Sequence, residues 1–370
     1  MEKSKVYFTT FKTTFHENLP AKLRRLILTA GINDIDFEDK YAAIKIHFGE
    51  LGNLAFLRPN YAKVVADIVK EAGGKVFLTD CNTLYVGSRK NAVDHMDTAY
   101  ENGFSPFSTG CHVIIADGLK GTDEELVSID GEYVKEAKIG RAVMDADIFI
   151  SLTHFKGHEA TGFGGALKNI GMGCGSRAGK MEMHCDGKPN VSTEKCIGCA
   201  MCTKVCAHSA IELKEKKAAI DHAKCVGCGR CIGVCPKDAI EPGWDASNDV
   251  LNYKIAEYSQ AVCKDRPHFH ISLVVDVSPN CDCHSENDIP IIPNVGMFAS
   301  FDPVALDVAC ADACNQQPAV SSSVLGETKA AENECNDHFH VAHPDTNWKS
   351  CVEHAQKIGL GSMEYELIQI

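Results

Sequence analysis

Eight of the 19 cysteines in this 370-residue chain fall in two near-copies of one pattern, which constrains the local fold more than any other feature. The first run is Cys196, Cys199, Cys202 and Cys206; the second is Cys225, Cys228, Cys231 and Cys235, followed by Pro236. Each reads C-x2-C-x2-C-x3-C, and the flanks repeat 29 residues later, EKCIGCAMCTKVCAHSAIEL against AKCVGCGRCIGVCPKDAIEP. Three thiolates two residues apart wrap one compact centre, and small residues let backbone amides approach its sulfurs. Gly198, Gly227 and Gly229 meet that need. Zinc knuckles also use C-x2-C pairs, but four cysteines in eleven residues, twice and without histidine, suit iron–sulfur cubes far better.

The spacing is similar to that of bacterial-type ferredoxins. These hold two [4Fe–4S] clusters and send the fourth cysteine of each run across to the other cluster. On that resemblance Cys196, Cys199, Cys202 and Cys235 hold one cube, and Cys206, Cys225, Cys228 and Cys231 the other. A departure is Ala207, where the second run has Pro236. The expected role is single-electron transfer.

The length exceeds the usual single-domain size, so two or more compact units are expected. No apolar run is long enough to span a membrane, and the first residues, MEKSKVYFTTFKTTFHENLP, lack an apolar signal core. Together with the many free thiols, this predicts a reducing, cytoplasmic setting, plausible for an anaerobe. Formal net charge is −13. Eight ligating thiolates and two oxidised cubes would take it to roughly −17. Such an acidic balance argues against nucleic acid and membranes, leaving a redox partner protein or a small-molecule substrate. Most of the eleven cysteines outside the two runs are expected to be buried small apolar residues.

The cysteine-rich unit, residues 189–242, lies inside the sequence. Asp186-Gly187-Lys188-Pro189 reads as a turn leading in and Pro242-Gly243 as one leading out. Residues 1–188 and 243–370 are therefore read as two parts of one α/β domain. Its strands are predicted over 42–48, 75–79, 113–116, 147–152, 271–277 and 289–295. Helices are predicted over 58–73, 91–102, 139–144 and 303–314. This alternation predicts an α/β fold with a mostly parallel sheet, interrupted by a small α+β ferredoxin-like domain.

Several strands end in polar residues: His47, Asp80 and Asn82, Asp117, His154. Ligands of parallel α/β sheets bind beyond those carboxyl ends, so these residues predict a shared pocket. The densest stretch is HFKGHEATGFGGALKN, from His154 to Asn169. Gly162, Gly164 and Gly165 let a loop pack its amides around a ligand. A helix starting at Ala166 would turn its positive end to that loop, suited to an anion. His154, Lys156, His158 and Lys168 supply acid–base groups, metal ligands or a nucleophile, and are the candidate catalytic residues. Cys281, Asp282 and Cys283, with His284, form a further candidate metal or redox site. Cys174 and His184-Cys185 are weaker candidates of the same kind.

HFKGHEATGFGGALKNIGMGCGSRAGKMEMH, DCNTLYVGSRKNAVDHMDTAYENGF, ADGLKG, SPNCDCH and ASFDPVALD resemble the DUF362 proteins that carry a ferredoxin insert. The resemblance runs from about Ala42 to Asn315. That family carries an uncharacterised Fe–S centre, so the resemblance implies architecture more than activity. His158-x3-Gly162-Phe163-x-Gly-x2-Lys168 is also similar to a stretch of the lactate racemase family. There the histidine ligates nickel and the lysine carries a nickel-pincer nucleotide, which implies His158 as a metal ligand and Lys168 as a cofactor anchor. The glycine pair is displaced by one residue.

The expected function is an iron–sulfur oxidoreductase. Two [4Fe–4S] clusters would exchange single electrons with a ligand or metal in the α/β cleft, where Asp80, Asn82, Asp117, Gly162, Gly164 and Gly165 help hold it. A ferredoxin-type carrier with a partner-docking domain, and a racemase-like enzyme with structural clusters, are the alternatives.

Overall fold

The computed structural model describes residues 3–84, 87–184, 187–243, 246–331 and 336–370. Its centre is an eight-stranded sheet. In chain order the strands are β1 (Ser4–Thr10), β2 (Tyr41–Lys45), β3 (Lys75–Asp80), β4 (His112–Ile115), β5 (Ile148–His154), β6 (His268–Val274), β7 (Gly296–Ser300) and β8 (Tyr365–Gln369). Across the sheet the order is β8-β1-β7-β6-β5-β2-β3-β4. Every neighbouring pair is parallel except the two made by β7, which runs against both β1 and β6. The fold is therefore α/β with a mostly parallel sheet.

Alternation along the strands fixes which face meets which layer. Ile148, Ile150 and Leu152 of β5 join one core with Ala42, Ile44, Phe269 and Ile271. Helices α1 (Leu19–Thr29) and α2 (Pro59–Glu71) cover that face through Leu23, Leu26, Val65 and Ile68. Phe149 points the other way, into a core formed with α4 (Ala166–Cys174), α6 (Asn248–Cys263) and α7 (Pro303–Asn315). Between these in sequence lie α3 (Ala92–Glu101) and α5 (Arg177–His184). Helix starts follow local chemistry: Asn91 accepts from the Val93 and Asp94 amides, and Asp302 from those of Val304 and Ala305 with Pro303 in the first turn. At Gly171 any Cβ would collide with the Ile255 carbonyl, so this glycine lets α4 and α6 touch.

Two predicted elements differ. Residues 289–295 are not a strand, because Pro290 and Pro293 remove ladder donors; the strand is the Gly296–Ser300 segment that follows. Residues 139–144 split into the end of a hairpin strand, Glu136–Gly140, and a single helical turn, Arg141–Met144. Beyond residue 316 the described residues add three short helices and β8, which pairs with β1 at the sheet edge.

The cysteine-rich segment is closed at its ends by strand Pro189–Val191 pairing antiparallel with Ile240–Pro242. A hairpin, Ile211–Lys214 with Lys217–Ile220, lies between the two runs. No helix among the described residues is long and apolar enough to cross a membrane. Cys185, Asp186 and Cys335 lie outside the described residues.

Candidate functional site

The sequence repeat is a structural repeat. Ala200 and Gly229 adopt left-handed φ values of 60° and 64° ahead of the short helices Met201–Val205 and Arg230–Val234. The Cys196 and Cys225 amides donate to Ser192 and Asp221 carbonyls, each at 3.0 Å. Each half also closes the other: Ser192 N–H donates to Ala239 O and Asp221 N–H to Ala210 O, both at 2.8 Å. Amides are aimed at sulfur, Ala210 N–H at Cys206 Sγ (3.3 Å), Ala239 N–H at Cys235 Sγ (3.2 Å) and Ala218 N–H at Cys196 Sγ (3.4 Å). A small cavity is lined by Cys196, Cys199, Cys202 and Cys235, with apolar walls from Ile197, Leu213 and Ile240. The fourth cysteine in that cavity comes from the second run. The donor set, four sulfurs with inward amides and no competing polar side chain but Lys237, fits a [4Fe–4S] cube.

The repeat departs from symmetry where it touches the α/β body. Gly229 and Gly233 stand where the first run has Ala200 and Lys204. A Cβ at either glycine would strike the Arg177 side chain of α5. Met181 of the same helix, and Leu84, join the small core of the segment. Lys90 adds an ion pair to Asp238, and the Arg177 guanidinium also donates to the Lys90 carbonyl. The second run is thus the half that packs on the body.

On α5, Lys180 lies three residues from Arg177 and lines a narrow cleft beyond the carboxyl ends of β2, β3, β5 and β6. Lys45, Arg89, Lys156, Lys168 and Lys180 line it, with Asp80 as its carboxylate. Lys45 is buried in an apolar strand, held by Asp80 at 3.0 Å and Asn169 at 2.8 Å. Burial works against ionising Asp80, but Lys45 holds it below the usual carboxylate range. Arg89 is 1% exposed; it pairs with Glu50 at 3.0 Å, and its Nη2 has no hydrogen-bond partner among the described residues. Lys180 donates to the Gly175 carbonyl at 2.6 Å and forms no ion pair among the described residues. Burial and Arg89 hold His47 neutral, well below its ordinary pKa. A concave site with surplus buried cationic donors suits a small anion.

Sequence reasoning placed Asp80, Gly165, Lys156 and Lys168 here, and all four line the cleft; Cys281 and Cys283, read as a separate site, line it as well. His154 does not. Its Nδ1 faces Asp282 (2.9 Å) and its Nε2 the Val275 carbonyl (2.7 Å). Both nitrogens are thus occupied, which locks the ring to Asp282 and leaves it neither ligand nor proton donor to the cleft. Asp282 also faces Lys156 at 3.5 Å, which turns it away from Cys281 and Cys283 and out of any metal site with them. His158 takes backbone N–H bonds from Ala160 (3.0 Å) and Thr161 (3.2 Å) on Nδ1. Its proton therefore sits on Nε2, leaving no lone pair there for the metal that the racemase-like stretch implied.

The glycines serve packing. Gly165 leaves room for the Asp307 carboxylate, which itself caps α4 through the Ala166 (2.6 Å) and Leu167 (2.9 Å) amides. The helix end read as an anion site is occupied by the chain's own Asp307 carboxyl group. Gly162 (φ 80°) lies against Trp348, and Gly164 against Lys156. Asn82 and Asp117 bind one another (2.7 Å) and do not line the cleft; burial raises Asp117 to about 6. Cys174 is buried below the cleft, where burial pushes its thiol up to about 11, and His184 is buried and held neutral by burial at about 3. Lys45, Arg89 and Lys180 were missed. The one usable signal was Lys45, a charge inside the apolar run Ala42–Phe48.

A family model for a domain of unknown function, DUF362, matches residues 42–312. The chain belongs to the DUF362 family. A curated relative of this DUF362 protein is the thylakoid-associated protein sll1697 of Synechocystis, 27% identical over 123 residues. That match spans 33% of this chain and 34% of the relative's length. Among solved structures, the lactate racemase apoprotein of Thermoanaerobacterium thermosaccharolyticum is 12% identical with a TM-score of 0.36, over 69% of this chain and 49% of that one. A Thermotoga maritima protein is 12% identical with a TM-score of 0.43, over 80% of this chain and 57% of that one. Likenesses this slight say nothing about the chemistry of this DUF362 protein.

Proposed function

We propose that this protein is an iron–sulfur oxidoreductase whose segment 189–242 is an inserted domain holding two [4Fe–4S] clusters, one on Cys196, Cys199, Cys202 and Cys235, the other on Cys206, Cys225, Cys228 and Cys231. The clusters would supply single electrons. The cleft residues bind the reaction partner: Arg89 and Lys180 offer free donors to an anion, while Lys45 and Asp80 hold each other as a neutral pair. The observation that carries this reading is α5. One side of it, through Arg177 and Met181, meets the second cysteine run, and Lys180 lines the cationic cleft. An acidic chain that gathers five cations in one cleft beside its cysteines points to electron exchange with a bound anion.

Anaerobically purified protein should contain about eight irons and eight acid-labile sulfides per chain. Pyrophosphate, as a multivalent anion probe, should raise its melting temperature. Lys180→Gln should weaken that binding about tenfold, the effect of one lost charge-assisted hydrogen bond. Zinc in place of iron, or pyrophosphate binding indifferent to Lys180→Gln, would overturn the reading. Electron exchange with ferredoxin-dependent enzymes that ignores the cleft variant would favour a plain carrier.

A further inference from the structure

Cys281 and Cys283 sit on a turn closed by the His284 N–H bond to the Cys281 carbonyl, 3.1 Å. The turn sends Asp282 to His154 and brings both thiols to the cleft wall. Lys168 Nζ lies 3.3 Å from Cys281 Sγ. The neighbouring Cys283 thiol and the Lys168 charge favour the Cys281 thiolate, while Cys281 and burial hold the proton on Cys283. The other described cysteines outside the two runs are buried, and none of them but Cys81 lines the cleft. Among the described residues, only this pair puts two neighbouring cysteines on the cleft wall with a lysine ammonium beside one sulfur.

A metal on these sulfurs is the competing use, since Glu159, Cys283 and His284 place ligand atoms within 4.8 Å of one another. The surroundings oppose it. Glu159 is engaged by His284 at 3.0 Å, His158 carries its proton on Nε2, and the Lys168 ammonium occupies the position beside Cys281. Two thiols beside a fixed cation suit exchange chemistry better than a dication.

We propose that Cys281 and Cys283 form a redox-active dithiol that cycles to an internal disulfide and gathers two single electrons into one two-electron equivalent at the cleft. The source of the electrons rests on the iron–sulfur reading above. In the reducing direction the S–S bond breaks as it takes two electrons and one proton, giving the Cys281 thiolate and the Cys283 thiol. The two electrons come one from each of two reduced [4Fe–4S] clusters, which are thereby oxidised. In the other direction the Cys281 thiolate attacks an anionic disulfide bound at the cleft; the S–S bond of the pair forms as that of the bound disulfide breaks, and the two electrons and the Cys283 proton leave with the released thiolate and thiol.

The test uses the anaerobic holoprotein equilibrated in oxidised and reduced dithiothreitol, then quenched, denatured, alkylated and mapped by peptide mass. The expected result in oxidising buffer is one unalkylated peptide carrying Cys281 and Cys283, two hydrogens lighter, while every other described cysteine is alkylated. Photoreducing the iron centres with deazaflavin, without added thiol, should restore alkylation at both. Cys283→Ser should abolish the disulfide with iron content unchanged. Lys168→Gln should move its midpoint to more reducing buffers, because the thiolate loses its counter-charge. Alkylation of both residues in every buffer, or zinc that is retained stoichiometrically and lost in Cys283→Ser, overturns the dithiol. A disulfide that titrates with dithiothreitol but survives photoreduction of the iron centres overturns the relay. If the disulfide titrates in protein that holds no iron, the dithiol stands and the iron–sulfur reading fails.

Discussion

The cysteine segment and the cleft are neighbours built on opposite plans. The segment has a core of ten buried residues, of which Leu84 and Met181 belong to the body and three are cysteines of the runs. Its own apolar packing amounts to Ile211, Ala218, Ile232, Ala239 and Ile240. So small a core does not stabilise about fifty residues alone, and on the iron–sulfur reading proposed above the clusters would supply much of the folding free energy. The cleft, by contrast, is held by two large cores on the faces of one sheet and by buried ion pairs that exist without any ligand. One region is organised by what it binds; the other is organised in advance to bind.

The sharpest way to break that comparison is to remove ligands in pairs. If Cys235 crosses to the first run, Cys196→Ser with Cys235→Ser damages a single cube and leaves about four irons per chain. Cys206→Ser with Cys235→Ser damages both and should leave almost none. Limited proteolysis should then cut within 189–242 while the sheet keeps its circular dichroism. Equal iron loss in the two double variants would show that the runs do not exchange their fourth cysteines. Loss of the whole fold would show that the body depends on the metal as well.

The repeat also predicts which substitution separates segment from body without touching a ligand. Gly233→Lys restores the residue of the first run and drives Arg177 from its seat. Iron should stay near the wild-type level, while amide exchange in Arg177–His184 speeds up by roughly one to two orders of magnitude, the loss of a packed contact worth about 2 kcal/mol. The matching change in the first run, Lys204→Gly, should leave that exchange untouched. Equal effects from both would mean that the asymmetry of the repeat has no docking role.

The same contrast explains what could be read from the chain. Cluster spacing is local, so both runs, their glycines and the flanking turns were visible in sequence. Sheet strands β2, β3, β4, β5 and β6 were visible for a similar reason: each is a short apolar run bounded by a breaker. The cleft was visible only in part. Lys156 and Lys168 announced themselves by density, but Arg89 and Lys180 sit in a loop and a helix that tertiary packing alone carries to the site. Density also misled. His154 is tied to Asp282, 128 residues away, and the loop glycines make room for Asp307 and Trp348, partners that no local pattern could reveal.

Asp307 gives the smallest and most specific test of preorganisation. Burial raises its carboxyl to about 7 although it accepts two helix amides, against 3.8 for the ordinary group. The folded state therefore binds this proton more tightly than the unfolded state. Its contribution is fully present below pH 3.8 and is lost as pH rises through about 7, with a slope of up to about 1.4 kcal/mol per pH unit between them. Asp307→Asn cannot ionise and keeps one acceptor for the α4 amides, so its stability should fall less between pH 6 and pH 7. Denaturant melts of both proteins across that window measure the difference, with the buried Asp117, at about 6, contributing equally to each. Parallel curves would mean that Asp307 is already ionised at pH 6. The α4 amides would then outweigh burial, and the body would hold a permanent internal anion beneath its cationic cleft.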